Sequence, residues 1–119
     1  MSHNTVVNNK TSSTGTLFVR TPAGSHARVA NNLFVGPGST SLGGTSDLQG
    51  NQNATLADFV NAAAYDFRLR TSATANGAGV DPGSANGVSL TPGFEYVHPR
   101  AKVATTFRRT PGAYQSTGP

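Results

Sequence analysis

The alternation of apolar and polar residues sets the first expectations. In "NTVVNNKT", residues Asn4, Val6 and Asn8 fall on one side of an extended strand, and Thr5 and Val7 on the other. In "ARVANNLF" the same alternation places Ala27, Val29 and Asn31 on the inner side, with Arg28 and Ala30 outward. Between them, "TLFVR" sets Leu17 and Val19 against Thr16, Phe18 and Arg20, and "TPAGS" supplies a turn. The separation from Val6 to Val29, from Asn8 to Asn31 and from Asn9 to Asn32 is 23 residues in each case. A fixed interval of this size marks a chain that stacks on copies of its own turns. The second period runs through "LFVGPGSTSLGG", with Phe34 inward, Gly36-Pro37-Gly38 as a turn, and "TSLGG" as a weaker copy of "TLFVR". Asn51 or Asn53 is placed to begin a third, degraded corner.

Stacked strands lie about 4.8 Å apart. Asparagines at one corner of successive turns can therefore pass an amide hydrogen to the carbonyl oxygen of the next. Asparagine also tolerates the left-handed backbone of a tight corner. The expected ladder is Asn8 over Asn31 and Asn9 over Asn32.

After residue 54 the pattern changes. Leu56, Phe59 and Val60 suit a short helical turn over 55–62, and Tyr65, Phe67 and Leu69 suit a closing strand over 65–70. Residues 71–93 are rich in Gly, Ser, Ala and Pro and are expected to form an irregular loop that lies across the surface or is partly mobile. "FEYVHPRAKVATTF" is expected to add one or two strands, with His98 at a strand end and Tyr114 as an anchor in the tail.

Composition narrows the class. The 119 residues are 35% apolar and only 12% charged, and the polar mass is Asn, Ser, Thr and Gly, the profile of a turn-rich β protein. The seven arginines that dominate the net charge of +4 are scattered, so nucleic acid is not an expected partner. There is no cysteine and no apolar run long enough to span a membrane, and "MSHNTVVNNK" has no apolar stretch of the kind expected in a cleavable signal.

Three pieces, "VANNLFVGPG", "FVNAAAYDFRLRTSATANGAG" and "PGAYQ", in that order, resemble the C-terminal end of right-handed parallel β-helix proteins of the pectate-lyase-like superfamily. The resemblance implies an all-β fold: a right-handed parallel β-helix (solenoid) fragment of two to three coils over residues 1–54, followed by a C-terminal cap over 55–119. It implies further coils upstream or end-to-end association of copies. It also implies a secreted or cell-surface setting and a structural segment of a polysaccharide-binding or polysaccharide-degrading protein, an acidic polysaccharide being the expected ligand. An adhesin-like or tailspike-like binding module is the other reading without turnover. The chain departs from the family pattern after the serine of "SATANGAG", at "GAG", and at Gln115, where an acid is common. These differences bear on hydrogen bonds in the cap.

The acids Asp47, Asp58, Asp66, Asp81 and Glu95 form no closely spaced pair of the kind a glycosidase or calcium site uses. The histidines His3, His26 and His98 have no metal-binding spacing. No catalytic residue, metal or cofactor is expected. A polysaccharide lyase or glycoside hydrolase is the class to test if the chain acts as an enzyme. The candidate ligand contacts are Phe18 and Arg20, an aromatic face beside a guanidinium on the strand that lines the groove in the family.

Overall fold

The computed structural model describes residues 1–12, 15–97, 99–115 and 117–118; the strand end expected at His98 lies outside them. The fold is all-β. In its first half, β1 (Thr5–Val7), β2 (Leu17–Thr21), β3 (His26–Ala30), β4 (Leu33–Val35), β5 (Ser39–Leu42), β6 (Thr45–Gln49) and β7 (Gln52–Ala54) pair in parallel with strands far along the chain. The pairs are β1 with β4, β4 with β7, β2 with β5, and β3 with β6. The chain thus runs β2–β3–β4 and then β5–β6–β7, each strand lying beside its counterpart one layer back. The sheets hold only two or three strands each and stay small and separate, so the continuous solenoid faces expected above are not present.

The register corrects the repeat. Thr5, Leu33 and Gln52 are neighbours, as are Val6, Phe34 and Asn53. Val6 therefore pairs with Phe34, not Val29. Successive layers are separated by 28 residues and then by 19, not by 23 twice. The cause is connection length: the link from β1 to β2 is longer than the Gly36–Gly38 turn from β4 to β5. A recurring short motif cannot reveal such an insertion.

An asparagine ladder does form, with different members. Each corner pairs a left-handed residue with an asparagine: His3-Asn4, Asn31-Asn32 and Gly50-Asn51, with φ of 53°, 53° and 63° at the first position. Asn32 Oδ1 accepts from the main-chain N–H of Asn4 at 2.9 Å and from Asn4 Nδ2 at 3.0 Å. Asn51 Oδ1 accepts from the N–H of Asn32 at 3.0 Å and from Asn32 Nδ2 at 2.8 Å. Asn4 and Asn32 also donate to the Ser2 and Ala30 carbonyls just before their own corners, whereas Asn51 donates to the Val29 carbonyl of β3, one layer back. Of the four asparagines expected in the ladder, only Asn32 belongs to it. Asn8 reaches sideways to the carbonyl of Pro37, and Asn9 is exposed.

Asn31 has a second task. Its Oδ1 accepts from Val80 N–H at 2.9 Å while its Nδ2 donates to the Val80 carbonyl at 2.6 Å. Arg28 reinforces this contact by donating from Nε to the Pro82 carbonyl at 2.9 Å while pairing with Asp47 at 2.6 Å. The loop over 71–93 is therefore tied down. It contributes buried Ala73, Ala75 and Pro82, and it contains a two-residue hairpin, β10 (Ser84–Ala85) with β11 (Val88–Ser89). A side chain at Gly50 would place its Cβ in collision with Asn31 Oδ1, so the third corner carries glycine where the second carries asparagine.

The second half packs against the face of the β1–β4–β7 sheet, where Leu33 and Val35 meet Phe59, Leu69, Ala73 and Ala75. It flanks the layers rather than closing their end. The helix expected over 55–62 shrinks to a single 3-10 turn, Leu56–Asp58. Asp58 Oδ2 accepts from Thr55 N–H and Oγ1 at the start of that turn, and the backbone becomes extended at Phe59 and passes into β8 (Phe59–Asn61). A second such turn, Ala62–Ala64, ends at left-handed Tyr65. β9 (Asp66–Arg70) then pairs antiparallel to β8 and parallel to β14 (Thr117–Gly118). β12 (Phe94–Val97) and β13 (Ala101–Ala104) make an exposed antiparallel hairpin.

Two predictions follow from the corner. Asn32 is fully buried and makes four side-chain hydrogen bonds. Asn32→Ala is expected to cost about 2–4 kcal/mol in a denaturant titration, from stranded partners at about 1–3 kcal/mol each. Asn9→Ala is expected to stay within about 0.5 kcal/mol of the parent. His3 Nε2 lies 3.1 Å from Asn31 Nδ2, whose orientation Val80 dictates, so Nε2 must be the unprotonated acceptor. Burial lowers the His3 pKa below 6.5. The unfolded chain then binds this proton more readily than the folded one, so the contribution of His3 is complete above 6.5 and declines as pH falls below it. Thermal melts from about pH 7.5 down to about 5.5 should show this decline, and His3→Gln should flatten it relative to the parent.

Candidate functional site

The three tyrosines of the chain, Tyr65, Tyr96 and Tyr114, line one cleft of about 510 Å³ together with Asp66, Arg68 and Glu95. Strand geometry brings them together. On β9 the alternation sends Phe67 and Leu69 toward the apolar core and Asp66 and Arg68 to the other face. The left-handed turn at Tyr65 leaves its ring exposed at the rim. On β12, Tyr96 and Val97 supply the opposite wall with Val103 of β13, and the Tyr96 hydroxyl donates to the Pro99 carbonyl at 2.7 Å.

Asp66 and Arg68 form a two-point ion pair, Nε to Oδ1 at 2.8 Å and Nη2 to Oδ2 at 2.6 Å. The hydrogen bonds from Arg68 hold the Asp66 carboxyl below the ordinary carboxylate range. Asp66 is thus an anion at neutral pH and is unsuited to donate a proton to a leaving group. Tyr114 is half-buried, and burial, reinforced by the nearby Asp66 charge, raises its phenol above the usual value. It stays a neutral hydrogen-bonding phenol.

The floor of the cleft is polar and ordered. Buried Glu95 accepts from the main-chain N–H of Gln115 at 2.8 Å. The Gln115 side chain, also buried, donates to the Thr110 carbonyl at 2.7 Å and accepts from Arg108 N–H at 3.1 Å. An amide is the group that donates and accepts at once, which a carboxylate cannot do. The departure at Gln115 from the acid common in the resembled family is in this way compatible with the neighbouring Glu95.

The contacts expected at Phe18 and Arg20 do not assemble. An irregularity between Leu17 and Val19 inserts Phe18 as an extra residue opposite β5 and reverses the alternation. Leu17 is consequently exposed, while Phe18 turns inward and stacks on Phe34 with ring centroids 5.1 Å apart and planes 18° from parallel. Gly38 leaves the space for this ring. Arg20 is exposed and borders a separate cleft with His26, Arg28 and Asp47. The tyrosine cleft escaped the sequence reading because its members come from three distant segments. The local signal was Asp66-x-Arg68 on one strand face, followed later by "FEY" and "GAY".

Among the described residues no group of three or more His, Asp or Glu side chains has metal-holding geometry, and no helix is long and apolar enough to cross a membrane. Gln115→Glu is expected to lose the bond to Thr110 and to set a second carboxylate beside Glu95. Urea denaturation at neutral pH should report a loss of about 1–3 kcal/mol, and the loss should shrink on acidification as one carboxyl takes up a proton. Compared with known proteins, the chain matches no family model, no curated protein and no solved structure.

Proposed function

We propose that this chain is a non-catalytic glycan-binding segment and that the tyrosine cleft is its binding site. The observation that carries the reading is the gathering of every tyrosine of the chain around Asp66, Arg68 and Glu95. Tyrosine rings cover the C–H faces of sugar rings, and carboxylate and guanidinium groups bond to the hydroxyls. The charge balance favours a neutral glycan over the acidic polysaccharide expected from Arg20. Among the described residues the guanidinium that lines the cleft, Arg68, is already engaged at two points by Asp66. A uronate would have to displace that ion pair to gain a cation, which a neutral sugar need not do.

The parallel pairing and the asparagine corners support the finer architectural reading, that the first half derives from the terminal coils of a right-handed parallel β-helix of an extracellular protein. In that reading the second half is a flanking unit that carries the ligand site, and the layers are its scaffold. Turnover is not part of the proposal, because Asp66 is held as an anion and serves the cleft as an acceptor.

The test is titration calorimetry with a panel of neutral oligosaccharides and matched polyuronates. Neutral sugars are expected to bind. Tyr96→Ala and Tyr114→Ala should each weaken binding about threefold to tenfold, the value of one aromatic contact. Arg20→Ala should bind as the parent does. Preference for polyuronates, lost in Arg20→Ala and retained in the tyrosine variants, would refute the assignment of the cleft.

A further inference from the structure

The asparagine ladder has a direction, and its two ends are chemically opposite. Within it, the N–H and Nδ2 of one asparagine both donate to the Oδ1 of the asparagine one layer on. At the β7 end, Asn51 stands in the donor position. Among the described residues no acceptor meets its main-chain N–H, and its Nδ2 gives one bond, to the Val29 carbonyl. At the β1 end, Asn4 Oδ1 stands in the acceptor position, and among the described residues no donor reaches it.

The strands around Asn51 are also incomplete. β5, β6 and β7 all lie at sheet edges. Leu48 continues the inward column of Val29, yet it is 52% exposed where Val29 is 1% exposed. Beside it opens a cleft of about 410 Å³ with the stacked Phe18 and Phe34 rings in its wall and Gly50 and Asn51 at its margin. Among the described residues no strand covers Leu48 on this side.

We propose that a covering layer is supplied by residues Met1–Val7 of a second copy, packed head to tail. The register inside one molecule states what would then meet. Ser2 already bridges Ala30, whose next neighbour is Gln49, and Thr5 already pairs with Leu33, whose next neighbour is Gln52. Continued by one layer, Ser2 of the next copy lies over Gln49 and its Met1 over Leu48. Its β1 lies along β7, with Val7 over Ala54, and its Asn4 Oδ1 receives both donors of Asn51. Met1 is itself an exposed apolar side chain in the single molecule, so two exposed apolar groups are buried together. β1 is a sheet edge as well, so the contact completes backbone hydrogen bonds on both sides. The surfaces are different at the two ends. The contact is therefore heterologous and propagates from copy to copy. β5 has no counterpart in the Met1–Val7 layer, which leaves one side of the seam open and keeps the association reversible.

The experiment is sedimentation velocity over a concentration series, with Leu48→Lys and Ser2→Lys as variants that block opposite ends. Both positions lie at the exterior layers, and far-UV circular dichroism with thermal melting verifies that each variant folds. Leu48→Ala serves as a milder block if the lysine disturbs β6. The parent is expected to form concentration-dependent species beyond a dimer, and each variant alone should sediment as a monomer. An equimolar mixture of the two should form a one-to-one complex that grows no further, because each supplies the end the other lacks. A parent that stays monomeric throughout, a variant that associates on its own, or a mixture that fails to pair would overturn the proposal.

Discussion

The structure depends on how one kind of corner is satisfied. A left-handed residue turns the chain between two strands, and the main-chain N–H of the asparagine that follows meets a side-chain oxygen of the next layer in place of a ladder carbonyl. That asparagine serves as both donor and acceptor across layers. Buried polar groups left without partners are costly, and a fully connected set is rigid. Asn32 sits at the centre with no exposure and with contacts in both directions. Its neighbour Asn31 extends the same corner outward to Val80, so a single dipeptide holds together two layers and the loop laid across them.

This arrangement explains how a chain so poor in apolar residues keeps a defined shape. The apolar core is small: Leu33, Val35, Phe59, Leu69 and two alanines. Much of the organisation rests on polar side chains holding main-chain groups at a distance along the sequence. Arg28 holds Pro82, Arg70 holds Phe59 and Val60, Thr5 holds Ala113, and Gln115 holds Thr110. Each of these side chains reaches a main-chain group in a loop, a turn or the short irregular strand β8. The tyrosine cleft is a product of the same habit, since Glu95 and Gln115 fasten the tail segment that carries Tyr114 to the hairpin that carries Tyr96.

What was legible in the sequence was chemical type more than position. The strands around Val6, Val19, Val29 and Phe34 form close to where alternation places them, "TSLGG" does pair beside "TLFVR", and an asparagine ladder exists. Its membership was missed because Asn8-Asn9 imitates Asn31-Asn32 in composition while the structural equivalent is His3-Asn4. A histidine in the left-handed position hides the likeness, and the longer link after β1 shifts the interval. The inward turn of Phe18 was missed for a related reason. One extra residue in a strand reverses every side chain before it, and nothing in "TLFVR" marks the insertion. The helix read over 55–62 failed because three apolar residues cannot distinguish a helical face from a turn followed by a strand, and the backbone becomes extended at Phe59 after a single turn.

The position of the second half carries the final consequence. The expectation of a cap came from its order in the chain, but packing places it on the side of the layers, against Leu33 and Val35. The alternation within β4 requires this. Leu33 and Val35 face outward from the layers and need cover, while Phe34 faces inward and is covered by Phe18. With the second half occupied on that outer face, the axial end at Leu48 keeps an inward-facing apolar residue in solvent. Lateral cover thus follows from the alternation within β4, and the axial exposure of Leu48 follows from the edge position of β6.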